Sequence, residues 1–262
     1  MDIEQQSLPG VDVARNTMAS PSALGRYRHC PRLYRFLYVD GLWQYSRSSP
    51  QQSFGTAVHA ALRDYFRLRP ARRSLDALLT AFRTAWGREG GGSKAERERG
   101  LEVLRGWHDR ADTGIVPVAT EIALSGTWGD VTLKGRLDRI DRTPAGLRVV
   151  DYKTGMRPVS QEQADRDLAL TIYAALVTKR LGEPVGSLVL DYVAAGVQVE
   201  TTRPPEVLGE RLDEVLATAT ALRNDTEWEP NTGRWCRRCD LLGRCPDGQA
   251  FVDELVAGGD AE

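Results

Sequence analysis

A tight turn between two acidic strands constrains the fold of this chain more than any other feature. In the segment GRLDRIDRTPAGLRVVDYKTG, the turn is TPAG at 143–146, with apolar and β-branched residues on both sides. Proline in second place and glycine in fourth favour a type I turn. An antiparallel hairpin folded about this turn places Asp138 opposite Asp151 and Asp141 opposite Arg148.

The predicted hairpin brings two carboxylates and one amine to the same face of a sheet. Opposed residues have Cβ atoms about 4.5–5.5 Å apart. Lys153 follows Asp151 by two positions and therefore points to the same side. A two-residue type I turn splays its strands, so a bulge at the turn would shift this register by one residue.

Two carboxylates this close repel each other unless a cation lies between them. Mg²⁺ or Mn²⁺ suits this position, because hard divalent ions prefer oxygen ligands. Such an ion polarises a phosphoryl oxygen and lowers the pKa of a bound water, and Lys153 is placed to stabilise the charge that develops on phosphorus. The residues favour a phosphodiester-hydrolysis site, and an ordinary surface hairpin stays open as the alternative.

The remaining residues predict an α/β protein with a small mixed sheet flanked by helices. Helical spacing and β-branched alternation predict helices near Ser20 and at about 53–68, 75–86, 95–112, 161–180 and 205–223, and strands at 121–128, 130–141, 146–153, 187–193 and 197–202. The glycine- and charge-rich stretch 87–100 predicts a flexible connection. We expect a single domain over 19–255 between flexible tails at 1–18 and 256–262.

The four cysteines form a second constellation. Cys236, Cys239 and Cys245 have the spacing C-x2-C-x5-C, and Cys30 lies far away in sequence. In a cytoplasmic protein such thiols indicate a metal site, either Zn²⁺ or a [4Fe–4S] cluster. Structural zinc more usually takes two paired motifs, so the isolated Cys30 favours the cluster. Either group would join the N-terminal helix to the C-terminal segment, and four unrelated thiols are the alternative.

Charge, histidine and targeting signals add less. The formal net charge is −1, but arginines are concentrated in the segments 26–35, 63–73 and 234–244. These segments predict either a phosphate-binding surface or solvated helix faces. His59 is a possible metal ligand, although a lone helical histidine is more often packed or exposed. Without a transmembrane run or signal-peptide pattern at the N-terminus, we expect a cytoplasmic protein without membrane contacts.

Six ordered motifs resemble the RecB-like nuclease superfamily with PD-(D/E)XK active sites. They are also similar to its iron–sulfur branch, which includes the AddB nuclease domain and CRISPR-associated exonucleases. The motifs run from Ser20 to Pro246 and are SPSALGRYRHCPRLYRF at 20–36, FGTAVH at 54–59, GRLDRID at 135–141, DYKTG at 151–155, TIYAAL at 171–176 and CRRCDLLGRC at 236–245.

The resemblance implies a PD-(D/E)XK restriction-endonuclease-like core and a role for each motif residue. His59, Asp138 and Asp151 would bind a Mg²⁺ or Mn²⁺ ion with the backbone carbonyl of Tyr152. Lys153 would be the catalytic lysine, with Asp138, Asp151 and Tyr173 as the other catalytic residues. The cluster ligands would be Cys30, Cys236, Cys239 and Cys245.

One position departs from the family pattern. The glutamine that usually lies four residues before Tyr173 is Ala169 here, so one helix face loses a polar contact. We expect a metal-dependent DNA nuclease, an exonuclease on single strands or ends in repair or recombination. The alternatives are a DNA-binding module with a weak or silent nuclease site, and a subunit that depends on a helicase or on a recombination or CRISPR partner. The sequence contains no P-loop helicase motif.

Overall fold

The computed structural model describes residues 18–46, 50–89 and 92–258. Its helices are α1 (Pro21–His29), α2 (Pro31–Tyr34), α3 (Pro50–Arg67), α4 (Leu75–Arg88), α5 (Lys94–Arg110), α6 (Gln161–Asp165), α7 (Leu168–Leu181), α8 (Pro205–Asn224) and α9 (Pro246–Ala257). Its strands are β1 (Met18–Ala19), β2 (Ala119–Trp128), β3 (Val131–Thr143), β4 (Gly146–Lys153), β5 (Val185–Tyr192) and β6 (Val197–Thr201).

The six strands form one mixed sheet, which confirms the predicted α/β class. The strand order is β2-β3-β4-β5-β6, and β1 pairs in parallel with the first half of β3. The β3–β4 and β5–β6 pairs are antiparallel, whereas β4 and β5 are parallel. A parallel pair requires a crossover between its strands, and α6 and α7 provide it.

The hairpin register is confirmed over five residue pairs. Asp141 lies opposite Arg148, and Thr143 lies opposite Gly146, so only Pro144 and Ala145 form the loop. The backbone of Gly146 has a φ of 113°, a conformation that glycine adopts without a steric penalty. No bulge interrupts these five pairs, and the last of them is Arg139 with Val150. Asp138 and Asp151 lie one step beyond it.

Helices cover both faces of the sheet. On one face, α3, α4 and α5 bury Tyr65, Phe82 and Trp107 against Val150 and Tyr152 of β4. On the other face, α7 buries Leu170, Ala174 and Val177 against the sheet. The catalytic residues predicted on β3 and β4 therefore lie between two packed layers, which hold their backbone in place. None of the described helices is long and apolar enough to cross a membrane.

Two helix predictions were wrong for identifiable reasons. The helix expected at about 161–180 is divided into α6 and α7, because Asp167 caps a new helix by accepting the N–H of Leu170 at 2.8 Å. The connection expected at 87–100 is mostly helical. A capping box between Ser93 and Glu96 begins α5 inside it.

The segments around the cysteines contain more helix than expected. The short helix α2 follows Cys30, and a π-helical turn (Arg35–Val39) and a 3-10 turn (Leu42–Tyr45) continue from it. Helix α9 begins at Pro246, directly after Cys245, and includes the first residues of the predicted tail at 256–262. Of the predicted N-terminal tail, Met18 belongs to β1, and residues 1–17 lie outside the described residues.

Candidate active site

Helix α3 carries His59 to the middle of β3, where the pairing with β4 ends, because its residues on this side are small. Ala57 is completely buried. A Cβ atom at Gly55 would lie 3.2 Å from the Thr154 hydroxyl, just beyond β4. The helix can therefore approach the end of the hairpin closely. His59 Nδ1 lies 3.1 Å from Asp138 Oδ1.

Asp138 is nearly buried and makes two contacts at once. Its Oδ1 atom faces His59, and its Oδ2 atom accepts the backbone N–H of Tyr152 at 2.8 Å. Burial opposes protonation of His59, but the hydrogen bond and the charges of Asp138, Asp151 and Glu121 outweigh this effect and raise the pKa of the imidazole. The ring is thus held in a strongly negative environment.

Glu121 is a candidate metal ligand that the sequence analysis missed. Ligand atoms of His59, Glu121 and Asp138 all lie within 4.8 Å of one another. The neighbouring pairs Thr120–Arg139 and Ile122–Leu137 place Glu121 beside Asp138 on the adjacent strand. The signal was available in the sequence, because pairing β2 with β3 in the same way as β3 with β4 would have aligned these two carboxylates.

The backbone at Glu121 is unusual for a strand. Its φ is 50°, in a left-handed region that costs a non-glycine residue roughly 1–3 kcal/mol. Its carboxylate pairs with Arg136 Nε at 2.9 Å. Burial and the Asp138 charge nevertheless raise the pKa of Glu121, while Arg136 and His59 oppose this rise. The strained conformation directs the carboxylate towards His59 and Asp138.

Asp151 and Lys153 form a separate pair at the end of β4. Lys153 Nζ lies 2.7 Å from Asp151 Oδ2. Burial raises the pKa of Asp151 to about 6, with a smaller contribution from Asp138, although Lys153 opposes both. For Lys153, burial favours the neutral amine, but the charge of Asp151 raises the net pKa. Asp151 thus lies beside the group of His59, Glu121 and Asp138 but is not a member of it.

Lys153 lines a groove between α1 and α7. This groove has a volume of about 830 Å³, and Lys134, Arg136, Ala169 and Tyr173 are among its lining residues. Tyr173 reaches the sheet because Gly135 has no side chain, and a Cβ atom there would lie 2.9 Å from the tyrosine ring. Burial raises the pKa of Tyr173 far above its usual range, so the phenol stays protonated.

A buried arginine supports the other side of β4. Arg139 donates to the Tyr152 hydroxyl at 2.8 Å and to Asp141 Oδ2 at 3.0 Å. Its guanidinium also lies over the Phe66 ring, 4.3 Å from the centroid. The Tyr152 ring in turn meets the His59 ring edge to face at 6.0 Å. The Tyr152 side chain thus supports His59, but no described contact tests the predicted role of its carbonyl.

The four cysteines meet at one end of the molecule. They line one cavity of about 280 Å³ beside the C-terminal end of α1. All four thiols are free of disulfide bonds. Burial raises the pKa of Cys239, the backbone hydrogen bond with Leu241 opposes this rise, and the charges of the other three cysteines add to it, so each of these three lies within electrostatic range of Cys239. The predicted approach of Cys30 to the C-terminal segment is observed.

The donor atoms beside Asp138 fit a divalent cation. One imidazole nitrogen and two carboxylates converge, and a third carboxylate, that of Asp151, lies nearby. Its Oδ2 atom is buried and receives no well-directed hydrogen bond from the described residues, even though Lys153 is close. Carboxylate oxygens that converge with an imidazole nitrogen at one point are typical of divalent metal sites, and the oxygen donors suit Mg²⁺ and Mn²⁺.

Comparison with known proteins identifies the fold and the family. The crystal structure of a protein from Eubacterium rectale named "Putative exonuclease" superposes with a TM-score of 0.52 over 94% of each chain, at 15% identity, which shows a shared fold. No curated protein matches the sequence. The profile of the PD-(D/E)XK nuclease superfamily matches residues 18–246, and since this match spans most of the sequence, the chain belongs to that superfamily.

Proposed function

We propose that this protein is a metal-dependent DNA nuclease that acts as an exonuclease on single strands or DNA ends, in repair or recombination. The observation that carries the proposal is the convergence of His59, Glu121 and Asp138 on one point, beside the Asp151–Lys153 pair. PD-(D/E)XK nucleases use divalent metal ions, and a phosphodiester is the substrate that this combination of carboxylates and a lysine suits best.

His59, Glu121, Asp138 and Asp151 would hold a Mg²⁺ or Mn²⁺ ion, together with the Tyr152 carbonyl. Such an ion supplies Lewis-acid activation of the phosphate and of a water molecule. Lys153 contributes a point charge, whose ammonium form is favoured by Asp151, next to the negative charge that develops on the phosphate. Lys134 and Arg136 line the same groove and attract the DNA backbone towards it.

Cleavage of labelled DNA tests this proposal. The purified protein is incubated with Mn²⁺ and single strands labelled at the 5′ or the 3′ end, beside the variants Asp151→Ala and Lys153→Ala. We expect both variants to lose nearly all cleavage. Lys179→Ala is the matched control, because Lys179 is exposed on α7, lies over the Trp128 ring and is not among the residues that line the groove. Equal cleavage by the wild type, Asp151→Ala and Lys153→Ala would exclude nuclease chemistry at these residues.

We also propose that Cys30, Cys236, Cys239 and Cys245 hold a [4Fe–4S] cluster, as in the iron–sulfur branch of the superfamily. A tetrahedral zinc site with bonds of about 2.3 Å needs sulfur atoms roughly 3.8 Å apart. Among the described residues, no three cysteine sulfurs lie within 4.8 Å of one another. A cluster accepts wider spacing, because each sulfur binds a different iron atom.

Anaerobic purification separates the two metals. We expect a brown protein with about four iron atoms per chain, and loss of both colour and iron in Cys239→Ser. A colourless protein with one zinc atom per chain would contradict the cluster and indicate a structural zinc site instead. We also propose a cytoplasmic location, because cysteine metal sites of this kind are typical of reducing compartments.

A second candidate function is a DNA-binding module, or a partner-dependent subunit, with a weak nuclease site. Ala169 favours it, because this residue lines the groove together with Lys153 and Tyr173 and offers no polar group there. If Ala169 limits catalysis, Ala169→Gln raises the cleavage rate while DNA affinity stays the same. A helicase or a recombination or CRISPR protein would then be the partner, and its addition would stimulate the wild type.

One further assignment rests on the sequence. We propose that residues 19–255 form a single nuclease domain that includes the cysteine segments, between tails at 1–18 and 256–262. Contacts between the two ends support this proposal. For example, Tyr27 of α1 donates to Asp225 after α8 at 2.9 Å, and Arg32 of α2 donates to the Trp228 carbonyl at 2.9 Å.

A further inference from the structure

The exposed aromatic side chains are concentrated at one end of the molecule. Of the described residues, four aromatic side chains are exposed, namely Tyr38, Trp43, Tyr45 and Trp235, at 37%, 48%, 46% and 43%. All four come from the two segments that flank the cysteine cavity. Exposed large aliphatic residues are instead scattered along the chain, for example Val116, Val197 and Val256. This distribution is unusual for a surface that only contacts water.

The rings are held on one side and open on the other. Tyr38 stacks on buried Tyr34 with centroids 4.7 Å apart and meets the edge of Trp43 at 4.8 Å. The Arg244 guanidinium covers one side of Tyr45 at 4.1 Å. Trp235 packs so closely on Gly233 that a Cβ atom there would lie 2.3 Å from the indole. Such rings need little further ordering when a flat ligand stacks on them.

The charge around these rings is strongly positive. The segments 26–46 and 234–247 together contain eight arginines and three aspartates, whereas the whole chain has a net charge of −1. Two of these aspartates are already paired, Asp40 with Arg35 and Asp247 with Arg32. Arg237, Arg238 and Arg244 are all exposed. The four rings and these three arginines make up what we call the aromatic–arginine surface.

Helix α1 connects this surface to the groove at Lys153. Ser20 and the first turn of α1, with Pro21, Ser22 and Gly25, line the groove, and Arg26 and His29 line the cysteine cavity. The His29 ring lies 5.4 Å from Trp235. A helix of nine residues spans roughly 14 Å. One extended ligand can therefore contact both places.

We propose that the aromatic–arginine surface binds single-stranded DNA by stacking its bases on Trp43, Tyr45, Tyr38 and Trp235, outside the candidate active site. This proposal rests on the proposed nuclease function in one respect, namely that the same DNA strand also occupies the groove at Lys153. Every base has a flat face, so stacking needs no particular sequence, and the arginines attract the phosphates. The positive charge favours a nucleic acid over a protein partner, which would need an acidic surface.

Binding of a long poly(dT) strand, measured by fluorescence anisotropy in EDTA, tests the surface without cleavage. We expect Trp43→Leu and Tyr45→Leu each to lower the affinity by roughly 5- to 150-fold, and Trp43→Phe to retain most of it. Arg237→Gln and Arg244→Gln should each reduce the salt dependence by about 0.7 in the log–log slope. Val197→Ala is the control, since Val197 is exposed on β6. Thermal unfolding checks that each variant is folded.

Cleavage of a dinucleotide separates this proposal from the nuclease proposal. A dinucleotide bound in the groove at Lys153 is too short to span the roughly 14 Å length of α1, so Trp43→Leu should cleave it at the wild-type rate. If DNA binding depends on the aromatic residues but no cleavage occurs, the DNA-binding surface is supported and the nuclease proposal is contradicted. Unchanged poly(dT) affinity in both leucine variants would contradict the proposed DNA-binding role of the surface. A changed oligomeric state with unchanged DNA affinity would contradict it as well.

Discussion

At the residue scale, the candidate active site depends on a carboxylate that makes two contacts. Asp138 uses one oxygen for His59 and the other for the Tyr152 N–H. The carboxylate therefore fixes the relative position of α3 and β4 as well as offering negative charge to a cation. Glu121 adds a third strand to the same point, at the cost of a left-handed backbone. Ligands held this rigidly require little reorganisation when an ion binds.

Replacing Glu121 by glutamine should weaken metal binding without unfolding the protein. The amide keeps the size of the side chain but removes one negative charge from the group with His59 and Asp138. We expect the affinity for Mn²⁺ to fall at least about tenfold, as measured by calorimetric titration. Glu200→Gln is the matched control, because Glu200 is also a strand residue paired with an arginine, Arg148 at 3.6 Å. Equal affinities in both variants would exclude Glu121 as a ligand.

Removing the Tyr152 hydroxyl should disturb both stability and metal binding. Tyr152→Phe leaves the buried guanidinium of Arg139 without one acceptor, which costs about 1–3 kcal/mol in free energy of unfolding. Because the hydrogen bond from Arg139 orients the Tyr152 ring, which contacts His59, we also expect a loss of Mn²⁺ affinity of about tenfold. Tyr27→Phe also loses a tyrosine hydrogen bond, to Asp225, but should leave Mn²⁺ affinity unchanged. Denaturant titration and calorimetry measure the two effects.

At the scale of elements, close packing of helices positions the site. Helix α3 carries His59 and packs on α4, which in turn packs on α5. Gly100 of α5 lies directly against Phe82 of α4, where an added Cβ would come within 2.2 Å of the ring. Phe82 is completely buried, so its ring cannot move into solvent. The glycine that looked like part of a flexible connection is therefore a packing residue.

Two glycines of α5 should respond to alanine in opposite directions. Gly100→Ala forces the ring of Phe82 to shift and should lower the free energy of unfolding by about 1–3 kcal/mol. Gly106 has nothing within 4 Å of an added Cβ, so Gly106→Ala should raise it by about 0.5–1 kcal/mol through helix propensity. Urea denaturation measures both. A stabilising Gly100→Ala would contradict the packing described between α4 and α5.

At the scale of the whole molecule, the two ends of the chain are joined twice. The cysteine cavity brings α1 to the C-terminal segment. Independently, Arg28 donates to Thr218 of α8 at 2.8 Å, and the Tyr34 ring stacks on Trp228 at 5.7 Å. The contacts with α8 do not involve sulfur, so the closed form of the domain does not depend on the cysteines alone.

Loss of the metal bound by the cysteines should therefore destabilise the segments around the cysteines and leave the sheet folded. We expect Cys30→Ser to lower the melting temperature by several degrees, because a bound metal stabilises the folded state. Far-UV circular dichroism should stay close to that of the wild type. Hydrogen exchange should rise in 234–245 and remain slow in β3 and β4. Global loss of secondary structure in Cys30→Ser would show instead that the core needs the metal to fold.

The sequence alone determined the hairpin, its register and the residue types at its end. The spacing of Asp138, Asp151 and Lys153 about the turn is local, and side-chain alternation in a strand leaves few choices of face. Capping residues such as Ser20 also act locally, so most helix starts could be predicted. Family resemblance added the roles expected of His59 and the four cysteines.

Only the tertiary structure decided which distant groups complete the site. Glu121 lies beside Asp138 through the β2–β3 register, which the sequence pattern could have indicated. Its left-handed backbone and its approach to His59 of α3 have no such local signal. Arg139 became a supporting residue through contacts with Tyr152 and Phe66 that depend on the packing of α3 on the sheet. Likewise, Trp43 and Trp235 share a surface because the chain ends meet. These contacts join residues far apart in sequence, and packing of the complete fold alone specifies them.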